Sequence, residues 1–199
     1  VTSAQTLYAK WTVAAVFAVT FDAQGGSAPA PASATVTNGL PYGTLAATAR
    51  PGFAFGGWWT AANGGGTQAT AGTVVTAASA QTLYAKWTVN PVSTVTFDAQ
   101  GGSAAVPPSV TVTNGLPYGT LASTARAGFT FGGWWTNALY TGSAVTSATT
   151  VTVTSAQTLY AKWAVNPVST VTFDAQGGSA AMPPSVTVTN GLPYGTLAS

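Results

Sequence analysis

The sequence contains no cysteine and no histidine, and only 4% of its residues are charged. Each shortage removes a class of chemistry. Without cysteine there is neither a disulfide staple nor a thiolate metal site. Without histidine or cysteine, the side chains best matched to proton transfer near neutral pH are missing, and a Ser or Thr nucleophile lacks its usual base. Carboxylates are just as scarce: Asp22, Asp98 and Asp174 are the whole acidic complement. They recur far apart in sequence, so the paired carboxylates of a glycosidase and the several oxygen ligands of a calcium site are not offered. The expectation is a protein that is not an enzyme and that uses no cofactor and no metal. Five basic residues raise the pI to about 9.1 but form no run, so there is no nucleic-acid footprint. No apolar stretch is long enough for a membrane span. Asn38, Asn63, Asn90 and Asn137 all lack the hydroxyl residue that an N-glycosylation acceptor needs two places on.

What is present is apolar and aromatic. Hydrophobic residues make up 46% of the chain and aromatics 11%, which argues against disorder. The surface must then be built from Thr, Ser, Asn, Gln, Gly and backbone. Such a surface repels its own copies weakly, a condition that favours association.

The order of these residues is periodic. VTFDAQGGSA begins at Val19, Val95 and Val171, a period of 76 residues. SAQTLYAKW begins at Ser3, Ser79 and Ser155, and TNGLPYGTLA at Thr37, Thr113 and Thr189. GFxFGGWWT begins at Gly52 and Gly128. A fixed period is the signature of a repeat architecture. The reading is two complete repeats, 16–88 and 94–164. Residues 1–12 read as the C-terminal strand of a preceding repeat and 171–199 as the N-terminal part of a further one. Both ends fall inside a unit, so the chain reads as a window on a longer array. Short linkers, 89–94 and 165–170, share the sequence VNPVST. Proline holds the residue before it extended, so these linkers should be stiff and should repeat one unit-to-unit geometry. The corresponding stretch 13–18, VAAVFA, is apolar, and Phe17 should be covered by a neighbouring repeat or another chain.

Within a unit, Val19, Phe21 and Ala23 alternate with Thr20 and Asp22, the pattern of a half-buried strand. Asn38-Gly39 is a hairpin signal. Leu45–Arg50 allows a short helix, ended by Pro51. Phe53 to Trp59 reads as an aromatic strand interrupted by Gly56-Gly57, with Trp58 and Trp59 on opposite faces. Residues 60–79 differ most between units, with a further strand expected around Thr73–Thr76. Leu83, Ala85 and Trp87 alternate with Thr82, Tyr84 and Lys86 in the last strand. Asp22 should shape the Gln24-Gly25-Gly26 turn rather than support a Lys86 isopeptide bond. Phe17, Trp59, Trp135, Tyr84 and Tyr160 are the candidate inter-repeat or assembly contacts. Trp59, Tyr84 and Tyr42 are candidates for sugar stacking.

The segments Val19–Gly26, Pro31–Tyr42, Gly52–Trp59 and Thr82–Trp87, in this order and again one period on, resemble the Listeria–Bacteroides repeat, the B repeat of internalin-type bacterial surface proteins. The resemblance implies a β-rich α+β fold: tandem small β-grasp, ubiquitin-like domains, each a mixed sheet with at most a short helix. It also implies tandem arrays on extracellular or cell-surface bacterial proteins, serving as stalks and spacers, with no enzymatic activity. The low charge and the close identity of the copies depart from the family pattern and favour a self-associating fibre or filament. The resulting expectation is a structural segment whose partners are neighbouring repeats and other copies of itself. The alternative is an adhesin module that recognises a glycan or a cell-surface ligand through exposed aromatics.

Overall fold

The structure, a computed structural model, describes residues 3–197. The chain divides into two compact units, Val1–Asn90 and Pro91–Ser199. Each is built on one mixed five-stranded sheet.

In the first unit the strands are β1 (Val16–Asp22), β2 (Ser33–Thr37), β3 (Phe53–Ala61), β4 (Gly65–Ala69) and β5 (Gln81–Val89). The sheet order is β2-β1-β5-β3-β4. β1 and β5 pair in parallel, with Val19 opposite Gln81 and Asp22 opposite Tyr84. The other pairs are antiparallel. The second unit repeats the plan with β6 (Val92–Asp98), β7 (Ser109–Thr113), β8 (Phe129–Trp135), β9 (Ala144–Val145) and β10 (Gln157–Val165), in the order β7-β6-β10-β8-β9. It also carries a hairpin, β11 (Val168–Thr172) with β12 (Ser185–Thr189), which repeats the β1–β2 pairing.

Strand alternation decides the faces. Val19, Phe21, Leu83 and Ala85 point inward and are buried, and Trp58 joins them at 2% exposure. Trp58 and Trp59 do lie on opposite faces, and the extra residue at Gly56-Gly57 shifts the β3–β5 register between Phe55 and Trp58. The Phe21, Trp58, Phe55 and Trp87 rings pack in sequence at centroid distances of 4.8, 5.6 and 5.2 Å. These are spacings at which tilted and edge contacts are favourable. The second unit reproduces the set with Phe97, Trp134, Phe131 and Trp163.

No α-helix occurs among the described residues; the single helical element is a short 3-10 turn at Ala62–Gly64. The helix expected at Leu45–Arg50 is instead extended. Ala47 exchanges both backbone hydrogen bonds with Ala30, each 2.9 Å, and the Ser27 N–H donates to the Ala49 carbonyl at 2.7 Å. Thr48 and Ala49 are tied to Ser27 through hydroxyl bonds as well. The buried Trp58 indole N–H needs an acceptor and takes the Ala46 carbonyl at 2.8 Å. Partners about twenty residues away in the same chain therefore satisfy this backbone, and alanine's helix preference, a few tenths of a kcal/mol, is overridden.

The inner face of the sheet is covered by irregular chain in place of a helix. Leu45, Ala46, Tyr42 and Val75 pack onto it. The Asn38-Gly39 signal makes a turn closed by Leu40 N–H to the Thr37 carbonyl, with positive φ only at Gly39, the arrangement of a type II turn. It does not lead into a hairpin with β2. It aims the chain at 73–75, where only a bridge forms, Pro41 opposite Val74, instead of the strand expected at Thr73–Thr76. Gly26 is required by proximity: a Cβ there would lie 2.6 Å from the Trp87 ring. The Trp87 indole in turn donates to the Ala23 carbonyl at 2.8 Å and pins the end of β1. The peptide bonds before Pro31, Pro107 and Pro183 are cis.

Residues 3–12, expected as a last strand, carry no regular structure, and Leu7, Tyr8 and Trp11 are exposed. In the complete repeats the same phrase is held between the first and third strands; among the described residues no strand pairs with residues 3–12. Residues 1, 2, 198 and 199 of the outer segments lie outside the described residues.

Candidate functional site: the outer sheet face and the repeat joint

The residues expected to make contacts separate into two groups. Phe17 lies on β1 with the parity of Val19 and Phe21, opposite Val36, and packs partly buried against the core of its own unit. Its cover comes from its own repeat, because β1 extends back to Val16 and includes it. One period on, the same position is Ser93, which is 7% exposed and whose hydroxyl has no hydrogen-bond partner.

Trp59 and Tyr84 are brought together. They face each other across β3 and β5 on the outer face, as Trp135 and Tyr160 do across β8 and β10. All four are half-buried. Lys86 completes the group: its Nζ lies 4.7 Å from the Trp59 ring centroid, and Lys162 lies 4.4 Å from Trp135. Such cation–ring contacts are worth about 0.5–1 kcal/mol at exposed sites. The Trp59 indole donates to the Gly56 carbonyl at 3.0 Å, which holds the ring along the bulge. Each indole is therefore engaged on an edge by backbone and on a face by lysine. Tyr42, the other sugar-stacking candidate, is half-buried and accepts a hydrogen bond from the Gln81 side-chain amide.

The Asp and Arg side chains contact nearby backbone and rings. The Asp22 carboxylate accepts from the Gln24 N–H at 2.9 Å, as expected of a turn-shaping residue, and Asp98 does the same for Gln100. Arg50 stacks on Phe53 at 3.8 Å and donates to the Gln24 carbonyl. In the second unit, burial pushes the Tyr118 hydroxyl above its ordinary value, partly offset by its hydrogen bond to Gln157. Among the described residues no group of three or more His, Cys, Asp or Glu is placed to hold a metal, and no helix is long and apolar enough to cross a membrane.

The linker at Asn166-Pro167 is a built joint. β10 runs to Val165 and β11 starts at Val168, so only these two residues separate the strands. The Asn166 backbone N–H donates to the Gly128 carbonyl at 2.9 Å, and its side-chain amide donates to the Asn190 carbonyl at 2.8 Å. Its side-chain oxygen accepts from Thr130 at 2.7 Å. Asn190 N–H returns a bond to the Pro167 carbonyl at 3.0 Å. One asparagine thus bonds the second repeat on one side and the following hairpin on the other. Proline fixes φ, and asparagine spans both sides with a donor and an acceptor. The sequence pointed to the Asn-Pro linker as a feature but not to this clamp, because Asn190 lies 24 residues away. The recurrence of Asn in both the linker and the TNGLPYG phrase was the available signal.

The comparisons agree with this repeat plan. Two relatives from Evansella cellulosilytica match most of the chain. One, named provisionally as a membrane protein, is 34% identical over 174 residues, 87% of this chain and 24% of its own length. The other, named provisionally as a Gly-rich membrane protein, is 32% identical over 177 residues, 87% of this chain and 19% of its own length. The chain therefore spans about a quarter or less of these relatives. The Listeria-Bacteroides repeat domain profile matches residues 17–86 and again 94–162, one match on each five-stranded sheet. The chain belongs to the Listeria-Bacteroides repeat domain family.

Proposed function

We propose that this chain is a structural segment of an extracellular bacterial surface protein, a stalk or fibre in which rigid repeats are joined at a fixed geometry. The Asn166 clamp carries this reading: a linker that only connected domains would not spend side-chain bonds on both sides of the joint. The first linker has the same composition. Asn90 N–H donates to the Gly52 carbonyl within the first unit, and Asn114 N–H to the Pro91 carbonyl within the second. Stability in such an array is a sum of per-repeat cores and joint contributions. The relatives' names, membrane protein and Gly-rich membrane protein, are consistent with a protein attached at a membrane. The sheet order, with first and last strands parallel at the centre, supports a β-grasp frame whose helix has been replaced by irregular chain.

Scarce charge favours lateral contacts through hydroxyls and apolar groups. The outer faces, with Trp59, Tyr84 and their equivalents, are the surfaces for contact between copies. Electron microscopy of a longer tandem array tests the reading. Straight rods of even width, single or in bundles, are the expected result. Beaded strings with random bends would contradict it.

A further inference from the structure

The two complete repeats share a frame but differ at one groove. In the first, an open groove of about 430 Å³ is lined by Gln24, Arg50, Phe53, Asn63, Lys86 and Trp87. Its volume is within the range of small-ligand sites, roughly 300–1,000 Å³. Arg50 and Lys86 are the two cations of this repeat, and neither is ion-paired among the described residues. Arg50 bonds only a backbone carbonyl and rests on Phe53; Lys86 rests on Trp59. The one carboxylate of the repeat, Asp22, is held by the Gln24 turn and does not line the groove. In a chain with so few charges, two unpaired cations lining the same groove, flanked by two side-chain amides, form a donor-rich site for an anion.

The second repeat fills the side of this place that Ala85 and Lys86 line in the first. Gly64 lies against the Lys86 stem, so close that a Cβ there would meet it at 2.5 Å. One period on, the residue is Tyr140, with φ 56° where Gly64 has 74°. The Tyr140 hydroxyl donates to the Ala161 carbonyl at 3.0 Å, and its ring stands 5.7 Å from Lys162 Nζ and 6.2 Å from Trp135. Ala161 and Lys162 are the equivalents of Ala85 and Lys86, both of which line the first groove. A tyrosine side chain thus covers in one repeat what a glycine leaves open in the other.

We propose that the Arg50–Lys86 groove of the first repeat binds a carboxylated sugar of an acidic polysaccharide, and that Tyr140 excludes the same ligand from the second. The guanidinium and ammonium take the carboxylate, the Gln24 and Asn63 amides take hydroxyls, and the aromatic walls take the apolar face of the ring. The sites would then occur on selected repeats, as separate attachment points along a rod.

The test is calorimetric titration of the whole chain with a short oligogalacturonate, with the neutral galactose oligomer of equal length and a polyglutamate peptide of equal charge as controls. One site per chain is expected for the oligogalacturonate. Gly64→Tyr, and separately Arg50→Gln, should weaken it about tenfold or more, the scale of losing one charge-assisted hydrogen bond. Both variants must keep the wild-type circular dichroism and melting profile. If Gly64→Tyr disturbs the fold, Arg50→Gln carries the test alone. Tyr140→Gly combined with Leu139→Asn, which restores the amide that Asn63 supplies in the first repeat, should raise the stoichiometry to two. No binding, equal binding of the neutral oligomer or polyglutamate, or unchanged affinity in folded Arg50→Gln would overturn the proposal.

Discussion

The first and second repeats have the same sheet, the same ring ladder and the same Trp-to-carbonyl caps, yet they differ where the chain is free to vary. Trp58 and Trp134 each bond an alanine carbonyl at 2.8 Å, and Trp87 and Trp163 each pin the end of the first strand at 2.8 Å. Between the third and fifth strands the repeats part company. β4 is a five-residue edge strand reached through the Ala62–Gly64 turn, whereas β9 has two residues and follows a loop in which Asn137 bonds Leu139 and Thr141. The comparison teaches that core and backbone caps are held constant while one edge loop decides what each outer face presents. Surface loops supported by a rigid scaffold are where such differences are tolerated and used.

The largest effect should come from the constant part. Trp58→Ala removes a fully buried indole and leaves the Ala46 carbonyl without its donor, a cost of about 3–5 kcal/mol. A domain of this size has about that much stability to lose. Calorimetry should show the first repeat unfolded and the second transition unchanged; Trp134→Ala should show the converse. Loss of both transitions from either variant would break the picture of separate cores.

The strands and their faces were legible in the sequence because period-two alternation is a local signal: Val19, Phe21, Leu83 and Ala85 point where the pattern placed them. The opposed Trp58 and Trp59 followed from the same rule, whereas the pairing of Trp59 with Tyr84 depends on the register shift between Phe55 and Trp58 and was not read from the sequence. Leu45–Arg50 was misread as helix because its backbone partners, Ser27 and Ala30, lie far off in sequence. Phe17 was misplaced for a related reason. An apolar run before the VTFD phrase resembles an exposed linker until β2 is seen to pair with it. The Arg50–Lys86 groove left no trace in sequence, since its residues are spread from Gln24 to Trp87.

A second, smaller contrast lies at the Phe17 and Ser93 position. Phe17→Ser should lower the first transition by about 1–2 kcal/mol, part of the cost of deleting a full aromatic side chain. Ser93→Ala removes a buried hydroxyl that has no partner, and should leave the second transition unchanged or raise it by up to about 1 kcal/mol. A clear drop for Ser93→Ala would mean that the hydroxyl is used.

The smallest expected effect is with pH. Burial raises the Tyr118 hydroxyl above its ordinary value, so the folded second repeat holds that proton more tightly than the unfolded chain does. Its contribution is fully present below the unfolded tyrosine value, about 10, and is lost as pH rises through the folded one. The second transition should therefore fall in alkaline solution, and Tyr118→Phe should flatten that fall. An alkaline fall that persists unchanged in Tyr118→Phe would assign it elsewhere.

A rod of locked repeats requires a fixed joint between them. The chain has no cysteine, so spin labels can be placed at will. Ser33→Cys on β2 and Ser109→Cys on β7 are equivalent exposed positions on the two sheets. Pulsed dipolar spectroscopy on this pair should give one narrow distance distribution, and adding Asn90→Ala should broaden it. A broad distribution in the labelled parent, or one that Asn90→Ala leaves unchanged, would contradict a rod built of locked repeats.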